Sequence, residues 1–260
     1  MATVDGAPAS VDDLQALALT NYGHFTTMRV ENGAVRGLSL HLDRLVRDSD
    51  TVFGAELDPE RVLYCIRREV GERAGAFNVR VTVFDPALDM LNPAREAEPH
   101  VLVTTRSAGA LSPPPLRVTC LPFHRDAAEV KHVALFGQLR MRRQAQLAGF
   151  DDALFVESDG RISEGTTWNT GFVDEAGTVV WPEADVLPGV TMRLLQAAHD
   201  RSVTRPVRTG ELRAMRAAFA TNASVGVRTL SAVDEVAFPV DDAVLATLRE
   251  VHAAIPPERL

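Results

Sequence analysis

The sequence predicts a protein of mixed class, α+β or α/β, built in two domains. Strand-like alternating runs and amphipathic helical stretches mix in both halves, and most of the connections between them are short. The clearest break is residues 106–115 (RSAGALSPPP), where three consecutive prolines force a stiff, extended segment. We therefore expect a small domain over residues 1–108, a linker over 109–115 and a larger domain over 116–260.

The first half is expected to contain three strands and two helices. Residues 25–31 (FTTMRVE) are rich in β-forming residues and end at an Asn-Gly turn. Ser39 is the expected cap of a helix that Gly54 ends, with an apolar face of Leu42, Leu45, Val46, Val52 and Phe53. A second helix is expected at residues 60–70 and further strands at 77–84 and 100–105.

The second half is expected to alternate strands, hairpins and helices. After a strand at 116–121, an amphipathic helix over 133–148 stops at Gly149. The Ser-Asp-Gly turn at 158–160 predicts a hairpin. The expected elements are this hairpin (153–156 with 161–164), a second hairpin (169–173 with 178–181), a helix (189–199), strands around Phe219 and Val227, and a helix from Asp241.

Composition and charge exclude several classes of protein. The net charge of −8 argues against a nucleic-acid partner, which requires a basic face. The two cysteines, Cys65 and Cys120, have no zinc-type spacing, so we expect no metal site. No apolar run approaches the roughly 20 residues that span a bilayer, and the acidic N-terminal region shows no signal peptide. We expect a cytoplasmic protein without a membrane partner.

Lys131 is the only lysine among the 27 lysine and arginine residues. An ε-amine can lose its proton when buried and form an imine with an aldehyde, whereas a guanidinium stays protonated and is a poor nucleophile. One lysine retained where every other such position carries arginine therefore indicates Schiff-base chemistry. The alternative is an ordinary surface lysine, which is the commoner situation for this residue type.

Three stretches, and more weakly a fourth, resemble the class IV aminotransferases, the pyridoxal-phosphate enzymes of fold type IV. They are residues 23–45 (GHFTTMRVENGAVRGLSLHLDRL), 130–169 (from VKHVALFGQ to ISEGTTWN), 187–195 (LPGVTMRLL) and 220–224 (ATNAS). They follow the family's order over most of the chain. The resemblance implies an α+β fold of two α/β domains with pyridoxal 5′-phosphate between them, and a homodimer.

The same resemblance implies roles for individual residues. Lys131 would be the Schiff-base lysine and, after displacement by the substrate, the base. Glu164 would face the pyridine nitrogen, and Arg44 would hold the phosphate. Further cofactor contacts would come from Gly189, Val190, Thr191, Thr221 and Asn222. Candidate substrate contacts are Tyr22, His24, Arg80, Trp168 and Ala223.

Several of these residues also have a structural alternative. Glu164 would otherwise be an exposed hairpin residue and Arg44 a charge on a helix surface. Gly189, Val190 and Thr191 would form a plain helix cap. Trp168 would be a core tryptophan instead of a wall of the substrate pocket.

The resemblance implies a transaminase that moves an amino group from an amino acid or amine to a 2-keto acid. Lys131-His132, Asn222-Ala223 and the FTTMRV segment also resemble aminodeoxychorismate lyase, which converts 4-amino-4-deoxychorismate to 4-aminobenzoate and pyruvate. A lyase on the same scaffold is therefore the second hypothesis. A non-catalytic relative that only binds the cofactor is the third.

Overall fold

The computed structural model describes residues 2–111 and 113–260, so Ser112 of the predicted linker lies outside the described residues. The helices are α1 (Val11–Thr20), α2 (Leu38–Phe53), α3 (Pro59–Val70), α4 (Phe136–Leu147), α5 (Val190–Ala198) and α6 (Ala243–Ala254). The strands of the first half are β1 (Ala2–Val4), β2 (Ala7–Pro8), β3 (His24–Glu31), β4 (Ala34–Val35), β5 (Ala76–Phe84) and β6 (His100–Ser107). Those of the second half are β7 (Leu116–Pro122), β8 (Asp152–Val156), β9 (Ile162–Gly165), β10 (Asn169–Asp174), β11 (Val179–Pro182), β12 (Ser202–Arg205), β13 (Met215–Asn222), β14 (Gly226–Val233), β15 (Val236–Ala237) and β16 (Glu258–Arg259).

The chain divides into two compact units, each containing helices and strands. The first comprises Met1–Ala108, Val130–Ala134 and Pro256–Leu260, and the second Gly109–Glu129 and Leu135–Ile255. Two short segments of the second half of the sequence, one of which contains Lys131, thus group with the first unit. The predicted mixed class is confirmed.

An antiparallel sheet of seven strands organises the first unit. Its order is β16-β4-β3-β5-β6-β1-β2. Successive side chains of the long central strands point to opposite faces of the sheet. One face, which includes Met28, Val30, Val79 and Val81, packs against a core that α2 and α3 cover. The polar residues Thr27 and Arg80, which are cross-strand partners, lie on the opposite face of the sheet.

A barrel lies at the centre of the second unit. Its strands follow the order β10-β13-β14-β7-β8-β9, and β9 returns to pair with β10 at Glu164 and Asn169. The pairs β14–β7 and β7–β8 are parallel, whereas the others in the barrel are antiparallel. All six strands contribute to one buried apolar cluster, as a filled barrel requires. The closing pair therefore places Glu164 at a fixed position in the barrel wall.

Two predicted helix starts are wrong, and one helix was not predicted. Helix α2 begins at Leu38 after the cap residue Gly37, so Ser39 lies inside the helix and is not its cap. Helix α4 begins at Phe136, three residues later than predicted, because residues 131–133 pair with the chain around β3 instead. The unpredicted helix α1 starts at a Ser10–Asp13 capping box and has no buried residue.

Membrane insertion through a helix has no support in the described part of the chain. Over residues 2–111 and 113–260, none of the helices is both long enough and apolar enough to cross a bilayer.

Candidate active site

In the first unit, the backbone of Lys131 is fixed from both sides. Its carbonyl oxygen accepts a hydrogen bond of 2.8 Å from the Phe25 N–H, and the Val133 N–H donates to Gly23 at 2.9 Å. Its own N–H donates to Oδ2 of Asp48 at 3.0 Å. The lysine therefore lies on an extended segment that runs alongside the start of β3, and not on the helix that follows.

The Phe25 ring brings two of the predicted residues together. Nζ of Lys131 lies 4.9 Å from the ring centroid, and the guanidinium carbon of Arg80 lies 3.6 Å from it. An aromatic face attracts such cations. Burial and the nearby Arg106 charge lower the pKa of Arg80 to about 10. Both cations thus contact the Phe25 ring, which lies on the side of β3 that faces away from α2.

Arg44 is buried on α2, one turn after His41. Its Nη2 donates to the Thr26 hydroxyl and lies 3.2 Å from Nδ1 of His41. The same Nδ1 lies 2.7 Å from the Thr26 hydroxyl. Because arginine can only donate, Nδ1 is the acceptor, and full burial beside Arg44 holds the pKa of His41 well below its usual range. A neutral histidine thus helps to orient the guanidinium.

Two other candidates of the first unit lie near the segment that carries Lys131. His24 is completely buried and forms a backbone bridge with His132. Tyr22 is partly exposed; its hydroxyl donates to the Val52 carbonyl at 2.9 Å and its ring meets Phe53 edge-on. A contact of either residue with a substrate stays a prediction.

We expect His24 to make the stability of the protein depend on pH. Burial lowers the pKa of its imidazole from 6.5 to about 4, with the Arg44 and Arg47 charges in the same direction and the Asp48 charge opposing. Between these values the unfolded chain binds a proton that the folded chain does not, so stability falls as the pH drops from 6.5 towards 4. The expected loss from this group between pH 6.5 and pH 5 is about 2 kcal/mol.

Denaturant titrations of wild type and His24→Phe at several pH values measure this loss. The variant should show a shallower dependence over this range, while His124→Gln, which changes an exposed histidine, should follow the wild type. Parallel curves for wild type and His24→Phe would show that the buried imidazole is not the cause.

In the second unit, three neighbouring strands align three polar side chains. Glu164 on β9 is paired with Asn169 on β10, and Asn169 is paired with Thr221 on β13. All three residues are buried. Side chains of directly paired residues share one face of a sheet. The Thr221 hydroxyl is buried without a hydrogen-bond partner among the described residues, so it is available to an acceptor from outside the chain.

Both carboxylate oxygens of Glu164 are held. Oε1 accepts a bond of 2.9 Å from Nη1 of Arg125, whose side chain is equally buried. Oε2 accepts from the Leu187 N–H at 3.3 Å and from the Asn169 amide at 3.4 Å. The exposed-hairpin alternative for Glu164 therefore does not hold.

The start of α5 has the properties of an anion site. The cap residue Gly189 offers no side-chain hydrogen bond to the first turn, and Thr191 in that turn is buried. The Asn169 amide donates to the Leu187 carbonyl at 2.8 Å. A Cβ on Gly189 would lie 2.0 Å from Oδ1 of Asn169, so the close approach requires glycine. The first N–H groups of a helix have no acceptor within it, and such groups suit a phosphate.

The remaining candidates have structural partners in the second unit. Trp168 packs in the barrel core, donates to Asp152 at 2.9 Å, and lies against Gly165, where a Cβ would meet the indole at 2.0 Å. This favours the core alternative for Trp168. Oδ1 of Asn222 accepts from the backbone of the following turn, in which Ala223 lies.

Sequence reasoning assigned no role to several residues that hold these side chains. Asp48, His41 and Arg125 were missed, and so was the amide of Asn169. The sequence did contain a signal for two of them. His41 precedes Arg44 by three residues and Asp48 follows it by four on the same helix, and residues at these spacings share a helix face. The partnership of Arg125 with Glu164 joins residues 39 positions apart and had no such signal.

Comparisons with known proteins identify the family and the fold. The model of the family "Amino-transferase class IV" matches residues 23–233. No curated protein sequence matches the chain. Among solved structures, a branched-chain aminotransferase from Thermoproteus uzoniensis has a TM-score of 0.84 at 18% identity, covering 97% of this chain and 94% of its own.

Two further structures are similar over nearly their full length. A hypothetical aminotransferase from Mycobacterium tuberculosis has a TM-score of 0.83 at 18% identity, with 98% of each chain covered. A Legionella pneumophila protein that carries the name of a 4-amino-4-deoxychorismate lyase has a TM-score of 0.81 at 21% identity, with 96% of each chain covered. The likeness confirms the fold type IV architecture. Since the family model spans most of the sequence, from Gly23 to Val233, the chain belongs to the class IV aminotransferases.

Proposed function

We propose that Lys131 carries the cofactor of a pyridoxal-phosphate-dependent aminotransferase, with an amino acid or amine as donor and a 2-keto acid as acceptor. The enzyme class and the cofactor follow from the family. One observation carries the assignment of the lysine: the only ε-amine of the chain lies in the matched region, on a segment whose backbone is fixed from both sides.

The side chains fit this cofactor in their chemistry. Pyridoxal phosphate supplies an aldehyde for the amine and a ring that accepts electrons from the substrate carbon. Glu164, held by Arg125, would keep a proton on the ring nitrogen by accepting its hydrogen bond. In this proposal the N–H groups at the start of α5 and the Thr221 hydroxyl would bind phosphate oxygens. The resemblance assigns the same task to the forked guanidinium of Arg44.

Lys131 then has two tasks in the reaction. Its Nζ would hold the cofactor covalently until a substrate amine takes its place. Once displaced, Nζ would serve as the base that takes the proton from the substrate carbon and returns it to the cofactor, which is general acid–base catalysis by one positioned group. The Phe25 ring lies beside this amine, with the ring centroid 4.9 Å from Nζ.

Ligands of the solved neighbours support the transaminase over its alternatives. The M. tuberculosis aminotransferase is described with PLP bound, and with PMP and α-ketoglutarate bound. Those molecules are the cofactor forms and an acceptor that a transaminase needs. The lyase stays the second hypothesis because one similar structure carries that name. The cytoplasmic location and the homodimer stay predictions.

A half-reaction experiment separates these hypotheses. The purified protein loaded with pyridoxal phosphate is mixed with single amino donors without any acceptor, and its absorbance spectrum and products are followed. A transaminase should convert the cofactor to pyridoxamine phosphate and release one keto acid per chain. A lyase should release pyruvate from 4-amino-4-deoxychorismate repeatedly and keep its spectrum. Binding of pyridoxal phosphate without either reaction would favour the non-catalytic alternative.

A further inference from the structure

Asp48 is a fully buried carboxylate on α2 whose two oxygens serve different partners. Oδ2 accepts the Lys131 N–H at 3.0 Å. Oδ1 accepts from Nη2 and Nε of the neighbouring Arg47 at 2.6 and 3.0 Å. Asp48 follows Arg44 by four residues, so one face of the helix carries both the predicted phosphate arginine and the acceptor for the lysine backbone.

The ion pair with Arg47 does not account for the burial of this carboxylate. The Arg47 side chain is 43% exposed while that of Asp48 is 0% exposed. Ion pairs of exposed side chains contribute little to stability, and removing a carboxylate from water is costly. The hydrogen bond from Lys131 does require a buried carboxylate, because the Lys131 N–H lies on the segment that pairs with the start of β3.

This bond completes the attachment of the lysine to the first unit. The Phe25 N–H donates a hydrogen bond to the Lys131 carbonyl, and the Lys131 N–H donates one to Asp48. Both peptide groups that flank Cα of Lys131 are therefore held. Only the side-chain torsions then remain to determine where Nζ lies. Such restriction of a reacting group is what catalysis by positioning requires.

We propose that Asp48 is a positioning residue that fixes the backbone of Lys131, so that its amine is presented in one place for attachment of the cofactor. The inference rests on the proposed function, in which Lys131 carries that cofactor. Asp48 does not touch the cofactor in this account. It acts through the Lys131 N–H.

The single lysine gives a direct measurement of this contact. Selective ¹⁵N-lysine labelling of the full chain yields one backbone amide signal, which belongs to Lys131. Its hydrogen exchange is compared among wild type, Asp48→Asn and Asp48→Ala. Because a bond to a charged acceptor is lost, exchange should be at least about ten-fold faster in Asp48→Ala. Asp48→Asn keeps an acceptor oxygen, so its exchange rate should lie between those of wild type and Asp48→Ala. If the alanine variant does not fold, Asp48→Asn provides the test instead.

Two matched controls separate positioning from general destabilisation. Arg47→Ala removes the ion pair on Oδ1 and leaves Oδ2 in place, so the Lys131 signal should stay close to that of wild type. Asp50→Asn changes an exposed carboxylate two residues further along α2 and should have no effect. If Arg47→Ala reproduces Asp48→Ala, the ion pair and not the bond to Lys131 explains Asp48, and the proposal is wrong.

Cofactor attachment gives the functional readout. Pyridoxal phosphate is added to each variant, and the rate of appearance of the Lys131-linked absorbance band is measured. We expect a loss of about ten- to hundred-fold in Asp48→Ala, with partial recovery in Asp48→Asn. An altered amide signal with an unchanged attachment rate would overturn the positioning role. If wild type itself attaches no cofactor at Lys131, the proposed function fails and this inference with it, whereas the amide signal still reports the contact.

Discussion

Replacement of Lys131 with arginine is expected to abolish cofactor attachment and to lower the transamination rate by about 10⁴-fold or more. Arginine keeps the positive charge and a similar stem, but its guanidinium stays protonated and does not form an imine. The hydrogen bonds that anchor position 131 use its backbone N–H and carbonyl, so they persist in the variant. Folding stability should therefore change little while the chemistry is lost.

Borohydride reduction in the presence of pyridoxal phosphate, followed by mass spectrometry, checks this result. Wild type contains one ε-amine, so reduction should add a single phosphopyridoxyl group to the peptide that contains Lys131. The Lys131→Arg protein should gain none there, with an unchanged unfolding midpoint. Equal spectra and equal rates for the two proteins would show that Lys131 is an ordinary lysine.

The parts of the site that the sequence predicts are those whose chemistry depends on residue type. A single lysine among 26 arginines is conspicuous in the sequence, and the ISEGTTWN segment places Glu164 in the strand that ends at Gly165. Periodicity similarly located α2 and the central strands of both sheets. These features are local, so a short window of residues contains the information.

The parts that escaped prediction depend on contacts between distant residues. Lys131 lies on an extended segment because it pairs with residues 23–25, which are more than a hundred positions earlier, and this pairing delays the start of α4. The bond from Lys131 to Asp48 spans 83 positions. Helix α1 is a different case: its capping box was readable, but a helix with no buried residue has a weak apolar pattern.

Exchange of Glu164 for glutamine is expected to lower the transamination rate by at least about a hundred-fold, because a neutral amide does not keep a proton on the ring nitrogen of the cofactor. The same change should also destabilise the fold. It leaves the buried Arg125 guanidinium without its carboxylate partner at 2.9 Å, and breaking a buried pair on one side costs about 3–5 kcal/mol.

A double variant separates the two effects. In Glu164→Gln/Arg125→Met the buried positive charge is removed together with its partner, and replacing both members of a buried pair is often close to neutral for stability. We expect the double variant to recover most of the lost unfolding free energy in denaturant titrations but none of the lost rate. If the rate recovers with the stability, the carboxylate acts only through the fold. If the single variant keeps its full rate, Glu164 is not the residue that faces the ring nitrogen.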